Sequence, residues 1–175
     1  MLFPKGAIGF SLKRRNWVSK IVAWFTTSRW SHTFVIYQDQ PEVLVVEAGT
    51  LQVQLVPIAK YQSSGYNVAY FSPVAFTPEQ IDAGVAKARE SIETTYGWLQ
   101  ILGFVPVIVS RRLFGRKISN PARGGIVCSE LVLQYLRGID PGGKWAGMDK
   151  DAVSPEDLFS ELALDDRFKL MALEK

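Results

Sequence analysis

The sequence holds one cysteine and one histidine, Cys128 and His32, and with Glu47 they are the types that nucleophilic acyl chemistry needs. Taken singly, each has a plain structural reading. A lone Cys is ordinarily a small buried hydrophobe, a lone His a hydrogen-bonded structural residue, and a Glu at a strand end a solvated one. Placement adds more. Cys128 follows Arg123-Gly124-Gly125 and falls in the first turn of a helix expected from Ile126 to about Arg137 and stopped by Gly138. The positive end of a helix stabilises a thiolate, and its free N–H groups can receive a developing oxyanion. The spacing Cys128, Leu131, Val132, Tyr135 puts the thiol on an apolar, core-facing stripe, so a packed, inert thiol is the alternative.

His32 and Glu47 must be brought together by a hairpin. Thr33 to Tyr37 and Val43 to Glu47 are β-rich runs joined by the polar, Pro-containing Gln38-Asp39-Gln40-Pro41-Glu42. If Tyr37 lies opposite Glu42 or Val43, His32 lies opposite Glu47 or Ala48. The first register makes His32 and Glu47 cross-strand neighbours with Cβ atoms ~5 Å apart. A carboxylate there fixes the imidazole tautomer and stabilises the imidazolium.

The rest of the chain supplies the frame. Ala7 to Leu12, Leu51 to Pro57, Asn67 to Phe71 and Phe168 to Leu173 read as further strands. Asn16 to Thr26 has helical apolar spacing. Thr77-Pro78-Glu79-Gln80 opens a helix to about Glu93 through a capping box with Pro at the first position. Tyr96 to about Val109 reads as a buried helix broken near Pro106, Arg111 to Gly125 as an exposed basic loop, and Ser154-Pro155-Glu156-Asp157 as the start of a last short helix. Strands first and helices after predict one α+β domain over residues 1–175, an antiparallel sheet with helices on one side.

Composition excludes other classes. The 175 residues are 47% hydrophobic and 21% charged, as in globular proteins. The longest strongly apolar run, Trp98 to Val109, is short of the ~20 residues that span a bilayer. A net charge of +3, with Lys13-Arg14-Arg15 as its one cluster, predicts no nucleic-acid partner. One Cys allows no internal disulfide. No charged start followed by an apolar stretch marks a secretory signal, so a cytoplasmic protein is expected unless a dedicated system exports it. One His and one Cys do not make a usual zinc site without further carboxylates, and Gly124-Gly125 lacks a phosphate-loop pattern. No metal or cofactor is expected, and the oligomeric state stays open.

The string Trp30-Ser31-His32-Thr33-Phe34-Val35-Ile36-Tyr37, then Val45-Val46-Glu47-Ala48, then Val127-Cys128-Ser129-Glu130-Leu131-Val132 resembles the circularly permuted branch of the NlpC/P60 papain-like superfamily. In that branch the His motif precedes the Cys helix. The likeness is to its YiiX-like members, and more distantly to lecithin:retinol acyltransferase-type enzymes. Tyr96-Gly97 and Val153-Ser154-Pro155-Glu156-Asp157-Leu158 share in it, and it runs from about Gly6 to about Phe168. It implies a permuted papain-like fold with Cys128 as nucleophile, His32 as base and Glu47 as orienter. Tyr96, Trp30 and Ser31 are the expected substrate contacts, though a core Tyr is the plainer reading of Tyr96. Cell-wall members often carry a leader, and none is expected here; a compact copy of this kind would suit a phage-encoded or secretion-system protein.

These expectations describe a thiol hydrolase cleaving an amide in a short peptide, by analogy a cell-wall peptide. A second reading keeps the thioester and takes a lipid acyl chain, with Trp17 to Phe25 and Trp98 to Val109 as apolar contacts and Lys13, Arg14, Arg15 and Lys20 toward a membrane surface. Core packing is favoured for both segments. A third is a non-catalytic binding module, which a buried, unreactive Cys128 would favour. Arg111 to Arg123 is the expected cover of the cleft.

Overall fold

Short runs rich in β-branched and aromatic residues give six strands: β1 (Ile8–Lys13), β2 (His32–Gln38), β3 (Leu44–Ala48), β4 (Val53–Pro57), β5 (Tyr66–Pro73) and β6 (Phe168–Glu174). The structure is a computed structural model that describes residues 3–13, 28–49, 51–95, 110 and 126–174. The strands form one sheet in the order β4-β3-β2-β1-β5-β6, and every neighbouring pair is antiparallel. Three α-helices stand among the described residues: α1 (Pro78–Arg89), α2 (Cys128–Ile139) and α3 (Pro155–Ala163). The architecture is α+β, as expected. No helix among the described residues is long and apolar enough to cross a membrane. The expected helix at Asn16–Thr26, the apolar segment Tyr96–Val109 and the loop Arg111–Gly125 lie outside the described residues.

Local chemistry sets the helix starts. Thr77 Oγ1 accepts from the Gln80 N–H while Gln80 Oε1 accepts from the Thr77 N–H at 2.9 Å. Ser154 and Asp157 make the same reciprocal pair, and Pro78 and Pro155 follow the two caps. Two ends differ from expectation. α1 stops at Arg89 instead of Glu93, because Glu93 turns to φ +72° and the backbone of Glu93 and Thr94 hydrogen-bonds Val53 of β4. α2 runs through Gly138 to Ile139, so this glycine does not end the helix. A Cβ on Gly138 would stand 2.6 Å from the Gly84 Cα, and one on Gly84 2.3 Å from Ile139 Cγ2. The pair lets α1 and α2 cross closely, and packing, not capping, explains the residue.

Both sheet faces are covered. Ile8, Phe10, Val35, Val46 and Phe71 pack with Leu131, Val132, Tyr135 and Leu136 of α2 and with Leu158 and Leu162 of α3. On the opposite face Phe34, Ile36, Val45 and Tyr70 pack with Phe3, Ile58 and Tyr61. Gly9 lies opposite Phe34, and a Cβ there would come 2.2 Å from the Phe34 ring. The glycine makes room for the aromatic stack described below.

Candidate active site

His32 opens β2, Glu47 lies near the end of β3, and Cys128 is the first residue of α2, so three element ends meet. The hairpin register differs from both expected ones. Glu47 pairs with Phe34, and the register shifts between Ile36 and Gln38. His32 is therefore two residues along from the partner of Glu47, on the same sheet face. This diagonal relation still brings the imidazole Nε2 to 3.4 Å from Glu47 Oε2.

The other side of the ring meets the thiol. His32 and Cys128 hydrogen-bond through their side chains. Nε2 is turned to the carboxylate. Backbone N–H groups of Thr33 and Ser129 also reach the Cys128 sulfur. Val127 caps α2 without a side-chain hydrogen bond, so no side chain competes for the N–H groups of the first turn. Cys128 is buried, at 7% exposure, and shares its core cluster with Leu131, Val132 and Tyr135.

Glu47 is fully buried and its carboxylate is saturated. Oε1 accepts from Gln54 Nε2 at 2.9 Å and Lys60 Nζ at 2.5 Å. Oε2 accepts from the Tyr61 hydroxyl and faces His32. Sequence reasoning did not find these three donors. Gln54 sits directly opposite Glu47 on β4, which strand alternation alone suggests once the register is known. Lys60 and Tyr61 end a 3-10 turn after β4, where no periodic signal exists.

The charge states follow from this geometry. Burial alone would lower the His32 pKa, but hydrogen bonds to Cys128 and Glu47 and their negative charge raise it to about 9. Burial would raise Glu47, but His32, then Lys60 and Tyr61, hold it well below the usual carboxylate range. Burial likewise opposes ionisation of Cys128, yet the His32 hydrogen bond and charge, with the two N–H groups, bring the thiol below its ordinary value. Tyr61 is pushed far up by burial and by the Glu47 charge, so it stays a neutral donor. The shifts of His32 and Cys128 favour the imidazolium and the thiolate over the neutral forms, beside a charged carboxylate.

A late segment fastens the two halves. Ser129 Oγ donates to the Val153 carbonyl at 2.8 Å, tying the start of α2 to the approach to α3. Glu156 in the first turn of α3 accepts from the Arg29 N–H at 2.8 Å and from its guanidinium at 2.9 Å, just ahead of His32. Trp30 lies in the core at 4% exposure against Phe159 and Phe10. Ser31 Oγ donates to the Ser11 carbonyl at 3.3 Å. Tyr96 lies outside the described residues.

No family model matches the chain, and no curated protein does. Among solved structures it is similar to the crystal structure of the metalloprotein YiiX from Escherichia coli O157:H7, labelled DUF1105. The two share 18% sequence identity with a TM-score of 0.58, over 99% of each chain. The likeness is one of fold, and it agrees with the expected resemblance to YiiX-like proteins.

Proposed function

We propose that this chain is a cysteine hydrolase of the permuted papain-like type that cleaves an amide through a thioester. The observation that carries the reading is the row Cys128–His32–Glu47, with the thiol at the N-terminus of α2 and the imidazole between thiol and carboxylate. The Cys128 thiolate attacks the carbonyl carbon and forms the C–S bond. The C–N bond breaks as His32 gives its proton to the leaving amine. Water, losing a proton to His32, then attacks the thioester, and the acid leaves as the thiol reforms. Glu47 keeps the imidazolium oriented throughout. A short peptide is the substrate class favoured by the sequence resemblance.

The solved neighbour is called a metalloprotein. Among the described residues no three His, Cys, Asp or Glu side chains are grouped to hold a metal. Glu47 Oε1 is moreover set against the Lys60 ammonium, which a cation would have to displace. The described residues do not fit a metal, and no step runs through one.

The burial of Cys128 favours a second reading, a binding module with an inert thiol. Alkylation by iodoacetamide against pH, read by intact mass, decides between them. Rapid labelling at pH 6.5 that falls at least tenfold in His32→Ala is expected of the hydrolase, since an unassisted thiol titrates near 8.5. Slow labelling independent of His32 supports the binding module.

A further inference from the structure

Glu47 must hold one orientation if it is to orient His32, and its two oxygens are held by different partners. Oε1 takes Gln54 and Lys60, whereas Oε2 is shared by the Tyr61 hydroxyl and His32 Nε2. Among the described residues, only Tyr61 acts on the oxygen that His32 reads. Its ring is also part of the setting. It is 1% exposed and lies parallel on Phe34, with centroids 4.1 Å apart and planes 16° apart. The His32 ring is 6.1 Å away and inclined by 19°. Tyr66 closes the edge at 5.4 Å. Tyr61 thus has one ring position in this packing, and its hydroxyl inherits that precision.

We propose that Tyr61 is the positioning residue of the site: it anchors Glu47 Oε2 and so fixes the plane of the His32 imidazole between carboxylate and thiol. The proposal rests on the hydrolase reading for its catalytic consequence, but its geometric part does not. Lys60 and Gln54 keep the carboxylate charged and in place from the other oxygen. Tyr61 gives the oxygen facing His32 a second, neutral donor whose direction is set by the aromatic stack. The charged and titratable groups around the carboxylate are His32, Lys60 and Tyr61, with Cys128 beyond the imidazole and Tyr66 behind the phenol.

The single histidine makes the test clean, because every imidazole signal belongs to His32. Water exchange of the two ring N–H protons is measured by NMR at pH 7 in wild type, Tyr61→Phe and Lys60→Met, with hydrolysis of p-nitrophenyl acetate followed alongside. In Tyr61→Phe, Nε2–H exchange is expected to rise at least tenfold while Nδ1–H, the ring N–H that does not face Glu47, changes less than threefold. The value of kcat should fall about tenfold with KM within twofold, as for one hydrogen bond to a charged group. Lys60→Met should leave Nε2–H exchange within threefold. Equal change at both protons, no change at either, or an equal effect of Lys60→Met overturns the proposal. If wild type turns over no ester, the hydrolase reading fails, and the exchange rates alone still decide the positioning role. Should Tyr61→Phe not fold by circular dichroism, a nuclear Overhauser contact in wild type between the Tyr61 hydroxyl proton and His32 Nε2–H decides it. Both protons meet at Oε2, and absence of the contact overturns the proposal.

Discussion

Two glutamates among the described residues are buried, Glu47 and Glu130, and they are held in opposite ways. Glu47 has four partners, three of them supplied by β4 and the turn that follows it. Glu130, two residues beyond Cys128 on α2, has Lys150 on Oε1 at 2.9 Å, and its Oε2 has no hydrogen-bond partner. Lys150 is half exposed and comes from a loop. A carboxylate that must stay charged and still needs several rigid donors. One held by a single long side chain is local structure. Proximity to the cysteine in sequence therefore misidentifies the acid: the adjacent Glu130 is the less built site, and the distant Glu47 is the one prepared for charge.

The largest effect that sharpens this contrast is expected at Glu47. Glu47→Gln removes the charge that Lys60, Tyr61 and His32 share. It should cost about 2–4 kcal/mol in a urea titration, below the full penalty for an uncompensated buried charge because Lys60 can turn to solvent. The difference between wild type and variant should depend on acid. The folded-state pKa of Glu47 is depressed from 4.5, so the unfolded chain binds a proton near pH 4.5 where the folded chain does not. The stabilisation is present above pH 4.5 and is lost as pH falls toward the depressed value. A difference that stayed constant from pH 6 to pH 3 would mean that Glu47 does not act through its charge.

How much of this was legible follows from the same residues. Cys128, His32 and Glu47 stood out by type, and the capping boxes at Thr77 and Ser154 set the helix starts because their partners lie three residues away. The hairpin register was misplaced for a physical reason. Thr33 to Ile36 and Val45 to Ala48 are buried on both faces, so no polar alternation marks which residue faces which, and the shift between Ile36 and Gln38 leaves no composition signal. Gly138 looked like a helix stop because its packing partner, Gly84, is distant in sequence. Lys60 and Tyr61 were invisible because a turn places them and no period does.

The next contrast is between the two lysines. Lys60→Met leaves Glu47 with Gln54, Tyr61 and His32, and should cost about 1 kcal/mol, the scale of one hydrogen bond among several. Lys150→Met leaves the Glu130 side chain, 5% exposed, with neither oxygen paired by any described partner. That should cost about 1–3 kcal/mol, the desolvation penalty of an unsatisfied group. Urea titrations of both variants at pH 7 test the ranking. A larger loss for Lys60→Met would show that the Glu47 cage has one dominant member, and the argument from shared donors would fail.

Glu130→Gln gives the smallest effect. The substitution removes a negative charge that one half-exposed lysine balances and that leaves an oxygen unpaired in the core. A buried amide costs less to desolvate than a carboxylate, while the amide oxygen still accepts from Lys150. The expected change in stability is within about 0.5 kcal/mol of zero, since a half-exposed ion pair contributes little. Cys128 alkylation at pH 6.5 should stay within twofold of wild type, because His32, Glu47 and the backbone of Thr33 and Ser129 are the main influences on the thiol and imidazole. A tenfold drop in alkylation would reverse the assignment of the two glutamates, giving Glu130 a part in holding the thiolate that neither its single partner nor its unpaired oxygen explains.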